Sequence, residues 1–145
     1  MWPIQFLIPM EARVYQITLV VRDQESAVRY YTEKVGFEIK TDFTPPGGER
    51  WVTVGPKGQD IEMALYPAGR GDPNGWSAQW KPGTLPPLVL RVNDCRAVFS
   101  ELKARGVEFK QEEPEEHPWG ISCTFSDPDG NLFSLNQLPE SPAWK

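Results

Sequence analysis

The chain is short of the residues that several functions require. Basic residues are outnumbered, with 15 Lys and Arg against 20 Asp and Glu, for a net charge of −5. A phosphate-binding surface needs a basic face, so nucleic acid is not an expected partner. The 2 cysteines, Cys95 and Cys123, are too few for a disulfide framework or a zinc cluster. Both read as reduced thiols, which points to the cytoplasm. No apolar run approaches the roughly 20 residues that span a bilayer, so no membrane role is expected. Met1 to Pro9 is apolar but has no basic leader and no small-residue cleavage site, so it does not read as a signal peptide. Met10 is an alternative start.

What the chain does have is a repeat. Pro56-Lys57-Gly58-Gln59-Asp60-Ile61-Glu62 and Pro128-Asp129-Gly130-Asn131-Leu132-Phe133-Ser134 share the pattern P-x-G-[QN]-x-x-[ES], 72 residues apart from Pro56 to Pro128. An apolar alternation and a proline, Pro67 or Pro139, follow each. Upstream, Val21-Arg22-Asp23 opens a helical stretch ending at Gly36-Phe37, and Val92-Asn93-Asp94 opens another ending at Gly106-Val107. Those openings lie 71 residues apart, from Val21 to Val92. Two copies of one supersecondary unit imply two similar modules in one body. At 145 residues there is chain for one domain with a real core.

Each copy reads as βαβββ. In the first, a strand over Val14–Val21 is followed by a helix capped by Asp23, with Glu25 in its first turn, Lys34 in its last and Gly36 at its stop. Ala27, Val28, Tyr31 and Val35 share a face. Strands are predicted at Phe37–Asp42, Trp51–Val54 and Ile61–Tyr66. Pro67 to Pro86 is a Gly- and Pro-rich linker carrying Trp76 and Trp80, which read as covering an edge or a dimer contact. The second copy places strands at Leu88–Val92, Val107–Gln111, Ser122–Ser126 and Leu132–Asn136. Its helix runs from the Asp94 cap, with Val98, Phe99 and Leu102 inward.

Alternation along the outer strands separates two faces. Ile17, Leu19, Val21, Ile61, Met63, Leu65, Leu88, Leu90, Val92, Phe133 and Leu135 read as the helix-covered side. Gln16, Thr18, Val20, Glu62, Ala64, Tyr66, Val89, Arg91, Ser134 and Asn136 form the other side, polar and mixed. Curled sheets would enclose that side as a cleft suited to a small molecule.

The paired modules, the junction Leu19-Val20-Val21-Arg22-Asp23 with Tyr30-Tyr31 and Gly36-Phe37, and the turn Phe125-Ser126-Asp127-Pro128-Asp129-Gly130-Asn131 together resemble the vicinal oxygen chelate superfamily. That group holds the glyoxalases, the bleomycin-resistance proteins and the extradiol dioxygenases. The resemblance covers a single domain over residues 12–138, with modules 12–67 and 86–138. It implies an α+β fold of paired βαβββ modules forming curled mixed sheets around a cleft. One fold carries many functions, so it does not name the reaction.

Metal-dependent members of the group draw four ligands from the first and last strands of the two modules. On this chain those positions fall on Gln16 and Glu62 and, by the repeat, on Pro87 and Ser134. Proline cannot ligate through its side chain, and serine is a poor neutral ligand. No cofactor is therefore expected, and a divalent metal would meet an incomplete shell. The single histidine, His117, stands at none of the four positions.

Glu62 reads as a lone ligand, a general base, or an inherited carboxylate bonded to Gln16 or Arg91. Gln16 reads as a weak ligand or a pocket hydrogen-bonder. His117 offers acid–base chemistry or a structural loop role. Trp51, at a position matched to Cys123, and Trp119 would stack a flat ligand or join the core. Arg50 would neutralise an anionic ligand or stay solvated, and Glu112 to Glu116 reads as a solvated loop. Two function classes stay open: a glyoxalase-like lyase or dioxygenase, and a metal-free protein that sequesters a ligand. Either would be a homodimer with a small-molecule partner.

Overall fold

The computed structural model describes residues 14, 16–71, 73–74, 78, 80–84, 88–118 and 120–140. Met1 to Pro9, Trp76, Pro87 and Trp119 lie outside the described residues. The first unit comprises β1 (Gln16–Val21), α1 (Gln24–Arg29) with a π-helical continuation (Tyr30–Val35), β2 (Glu38–Phe43), β3 (Trp51–Gly55) and β4 (Glu62–Pro67). The second comprises β5 (Leu88–Arg91), α2 (Cys95–Ala104), β6 (Glu108–Phe109), β7 (Glu115–His117), β8 (Gly120–Ser126) and β9 (Leu132–Gln137). The result is an α+β fold with two mixed sheets, ordered β1-β4-β3-β2 and β5-β9-β8-β6, with β7 also paired to β8. In each sheet the unit's first strand runs parallel to its last. No helix among the described residues is long and apolar enough to cross a membrane.

Local chemistry explains the helices. The Asp23 and Asp94 carboxylates accept from the Ser26 and Ala97 amides, at 2.8 and 3.0 Å, and start α1 and α2. Gly36, at φ 90°, ends the first helix in a left-handed turn that a side chain would strain. The sequence pattern predicts one regular helix up to Gly36, whereas the chain widens to π geometry at Tyr30. Thr32 Oγ1 donates to the Val28 carbonyl at 2.7 Å there, occupying a backbone acceptor inside the helix. The wider turn buries Tyr30 as well as Tyr31.

The strand expected over Val107–Gln111 is shortened to β6, and part of the acidic run expected as loop becomes β7. Between the two, the Gln111 side-chain oxygen accepts from the Thr124 amide at 2.9 Å. It stands in for a missing ladder partner, so β8 stays satisfied while its neighbour bends away.

The helix-covered faces of both units fuse into one core. Leu19, Val21, Met63, Leu65, Val52 and Val54 join Cys123, Phe125, Phe133 and Leu135 in a single buried cluster. Phe133 is central: Tyr31 and Phe37 pack against its ring at 5.8 and 6.3 Å, and Phe125 stacks on it at 5.2 Å. The polar joint lies beside these rings. Asp127, 5% exposed, accepts from Tyr31 Oη (2.7 Å), from Asn131 Nδ2 (2.9 Å) and from the amides of Asn131 (2.8 Å) and Asp129 (3.0 Å). Asn131 Nδ2 also donates to the Val20 carbonyl at 2.9 Å, crossing to the first unit. Arg22 holds Asp129 through its amide and guanidinium, at 3.0 and 2.8 Å.

Removing one partner of a buried hydrogen bond costs about 1–3 kcal/mol. Tyr31→Phe should therefore lower the urea midpoint by that order while leaving the circular dichroism unchanged. Asn131→Ala, which strips bonds to both units, should cost more than Tyr31→Phe in the same titration.

The two thiols meet in this core, with Cys95 Sγ 3.5 Å from Cys123 Sγ and neither side chain exposed. Burial pushes both thiols up, Cys123 to about 12 from 9.0. Burial also raises the Tyr30 and Tyr31 phenols. A pKa raised by folding gives stability that is complete below the unfolded value and lost as pH climbs to the folded one. Denaturant titrations should accordingly show constant stability from neutrality to about pH 9 and a decline between about 9 and 12. A disulfide-exchange reagent should titrate both thiols only after unfolding.

Candidate functional site

The polar face of the first sheet gathers a carboxylate, an amide, two hydroxyls and two aromatic rings. Parallel register sets Gln16 beside Glu62 and Thr18 beside Ala64 on β1 and β4. Antiparallel register sets Thr53 of β3 beside Ala64, Thr41 of β2 beside Thr53, and Phe43 beside Trp51. β2 reaches this arrangement through a bulge. Ile39 pairs with Val54 and Thr41 with Thr53, so one extra residue is absorbed between them. The bulge shifts the strand's phase and turns Thr41 and Phe43 to the face that holds Glu62.

The carboxylate is held in place. Glu62 Oε1 accepts from Thr41 Oγ1 at 2.8 Å and from Thr53 Oγ1 in a short hydrogen bond. Thr53 is fully buried and Glu62 half-buried. Two donors fill the lone pairs of that oxygen. Phe43 and Trp51, by contrast, are 58% and 36% exposed. They present adjacent aromatic surface on neighbouring strands.

The rim of this face is clamped by arginines. Arg50 pairs with Asp42 and Glu25, both at 2.8 Å, so its charge is already neutralised. These partners push its guanidinium pKa up, the Asp42 hydrogen bond most. Arg70 donates to the Arg50 carbonyl at 2.8 Å, pairs with Glu49 at 2.9 Å and lies over the Tyr66 ring. Trp80 packs edge-on against Tyr66 at 5.3 Å, which draws the linker onto the end of β4.

The second sheet has its own polar face, and the expected residues divide between the two sheets. Arg91 pairs with Asn136 on β5 and β9, and Ser134 with Val89 and Thr124. Arg91 therefore belongs to the second sheet, whereas Gln16 and Glu62 pair in the first. Asn136 Oδ1 is buried without a hydrogen-bond partner among the described residues. His117 sits on β7 opposite Gly120, half-buried, with Nε2 3.9 Å from the Glu115 carboxylate. The matching of Trp51 to Cys123 is corrected by register. Cys123 opposes Leu135 and faces the core. Thr53 aligns with Ala64 and Ser122 with Asn136, so the counterpart of Trp51 is Gly120. At Gly120 a Cβ would lie 2.2 Å from the Gln137 carbonyl oxygen, which leaves no room for an aromatic residue.

The donor set does not fit a metal of the zinc type. Gln16 and Glu62 are adjacent, but Glu62 Oε1 is already taken by two hydroxyls, and Ser134 offers a neutral oxygen. Pro87 lies outside the described residues. Among the described residues, no three His, Cys, Asp or Glu side chains are grouped to hold a metal ion. Thr41, Thr53 and Phe43 were not singled out from the sequence. The period-2 step from Trp51 to Thr53 could have found Thr53, whereas Thr41 and Phe43 depend on the bulge.

Comparison with known proteins gives this geometry a family. Residues 13–135 match the Glyoxalase/Bleomycin resistance protein/Dioxygenase superfamily. YetH of Bacillus subtilis, itself uncharacterized, is 35% identical over 131 residues, 88% of this chain and 100% of YetH. The solved structure of UcmS2 is 41% identical with a TM-score of 0.77, covering 88% of this chain and 98% of UcmS2. That of TnmS3, an antibiotic binding protein from Streptomyces sp. CB03234, is 36% identical with a TM-score of 0.76, covering 91% and 100%. With the duplicated sheets and the Asp127–Asn131 turn in place, the chain belongs to the glyoxalase/bleomycin resistance protein/dioxygenase superfamily.

Proposed function

We propose that this protein binds and sequesters a small planar molecule of antibiotic type on the polar face of the first sheet, without a metal. The engagement of Glu62 Oε1 by Thr41 and Thr53 carries this reading. A carboxylate tied to two hydroxyls is held in one orientation and is a poor start for a metal shell. Phe43 and Trp51 beside it supply stacking surface. Gln16 adds an amide that both donates and accepts. The antibiotic-binding relative TnmS3 supports the ligand class. The reading includes a homodimer, since a second copy would cover Val14 and Ile39, which are 76% and 46% exposed. Two free buried cysteines favour a reducing compartment, the cytoplasm.

The test combines tryptophan-fluorescence titration with a panel of planar aromatic antibiotics and elemental analysis of the purified protein. Binding should be saturable, with less than about 0.1 zinc, nickel or iron per chain. Trp51→Ala should weaken binding about tenfold, the size of one lost stacking contact. Glu62→Gln keeps the shape and should weaken it about fivefold, the size of one hydrogen bond. Ligand turnover, or a stoichiometric metal that Glu62→Gln removes, would replace sequestration with catalysis.

A further inference from the structure

The two halves of the repeat treat the same seat differently. In the second unit, the Asp127–Asn131 turn is seated on the first unit by three anchors. Asn131 Nδ2 reaches the Val20 carbonyl, Tyr31 Oη reaches Asp127, and Arg22 holds Asp129. The repeat assigns each anchor a counterpart: Gln59 for Asn131, Arg91 for Val20, Leu102 for Tyr31, Gly55 for Asp127, Asn93 for Arg22 and Lys57 for Asp129. None of these bonds is made among the described residues. Leu102 cannot donate, Gly55 has no carboxylate, and the Gln59 side chain has no hydrogen bond among the described residues. The first turn consequently stays off the second unit. The counterpart seat is a cavity of about 540 Å³ whose walls include Gln59, Arg91 and Leu102.

The lining of this cavity specifies a ligand. Val35 and Phe37 from the first unit, with Val98 and Leu102 from α2, give an apolar wall. Arg91, Arg105 and Glu101 are its charged residues. Arg105 is already committed to Glu101 and to the Lys34 carbonyl. Arg91 has neither an ion pair nor a hydrogen bond among the described residues, which leaves one uncompensated positive charge. The volume falls within the range of small-molecule sites, about 300–1,000 Å³. Glu62, Thr53, Phe43 and Trp51 do not line it.

We propose that this inter-module cavity is a second small-molecule site, separate from the first-sheet face. It takes an amphipathic monocarboxylate whose aryl or alkyl body lies on Phe37, Val98 and Leu102 and whose carboxylate meets Arg91. The site exists because the duplicated seat lost its polar plug and kept its apolar walls.

The experiment is a titration of the full chain with 2-naphthoate, read by amide proton–nitrogen correlation spectra. Shifts should centre on Phe37, Gln59, Arg91, Val98 and Leu102 and saturate with a Kd on the order of 0.1 mM. The neutral 2-naphthamide should bind about tenfold more weakly, and so should naphthoate to Arg91→Ala, from loss of one charge-assisted contact. Arg91 is exposed, so this variant should keep the parent spectrum elsewhere. Shifts confined to Thr53, Glu62 and Trp51 would overturn the proposal, leaving only the first-sheet site. Equal affinity for acid and amide, unchanged affinity in Arg91→Ala, or no shifts at about 1 mM probe would each overturn it as well. Antibiotic binding to the first sheet should be unaffected by Arg91→Ala, so the two readings fail independently.

Discussion

The carboxylate of Asp127 is the constraint on which the arrangement of the two halves depends. It is buried and takes four hydrogen bonds, from Tyr31, from Asn131 twice and from Asp129. A buried charge without partners is costly, and a fully bonded one is highly directional. Those partners come from two units, so satisfying the carboxylate also fixes how the units meet. The aromatic cluster around Phe133 provides apolar burial beside it but little direction. The carboxylate network selects one packing from the many that a greasy face would tolerate.

Joining the units through their helix-covered faces leaves both polar sheet faces outside the shared core. This is what sets Gln16 and Glu62 on a face outside the core, with Thr41 and Thr53 holding the carboxylate. The site is then built from small displacements. One extra residue in β2 turns Thr41 and Phe43 toward Glu62, and two hydroxyls then hold the carboxylate in one orientation. A preset acceptor next to aromatic surface suits recognition, because little freedom remains to be lost on binding.

The duplication is visible in backbone and register but not in chemistry. Equivalent strands pair in equivalent ways, parallel between first and last in both sheets. Equivalent side chains have diverged: Glu62 against Ser134, Tyr31 against Leu102, Asn131 against Gln59. The second half places its turn carboxylates and Asn131 in the joint between units, and the first sets Glu62 among hydroxyls on its polar face. The cavity beside α2 is the consequence of that division.

The repeat, the caps at Asp23 and Asp94, the glycine stop at Gly36 and the alternation of Leu19, Val21, Met63 and Leu65 were legible in the sequence by itself. Each is a local rule acting over a few residues, and together they were enough for the α+β class and the module order. They also placed Gln16 and Glu62 on one face, because alternation and the parallel βαβ connection leave few alternatives. The partners of Glu62 were not legible, since Thr41 lies 21 positions away and faces it only through a bulge. Nor was the separation of Arg91 from Glu62, because alternation assigns a side chain to a face but not to a sheet's position in space. Trp51 was matched to the wrong residue for a related reason: loops of different length move the register while the spacing of motifs stays nearly constant. Tertiary packing decided these points, because hydrogen-bond partners and cavities arise from elements brought together over long sequence distances, where local propensity carries no information.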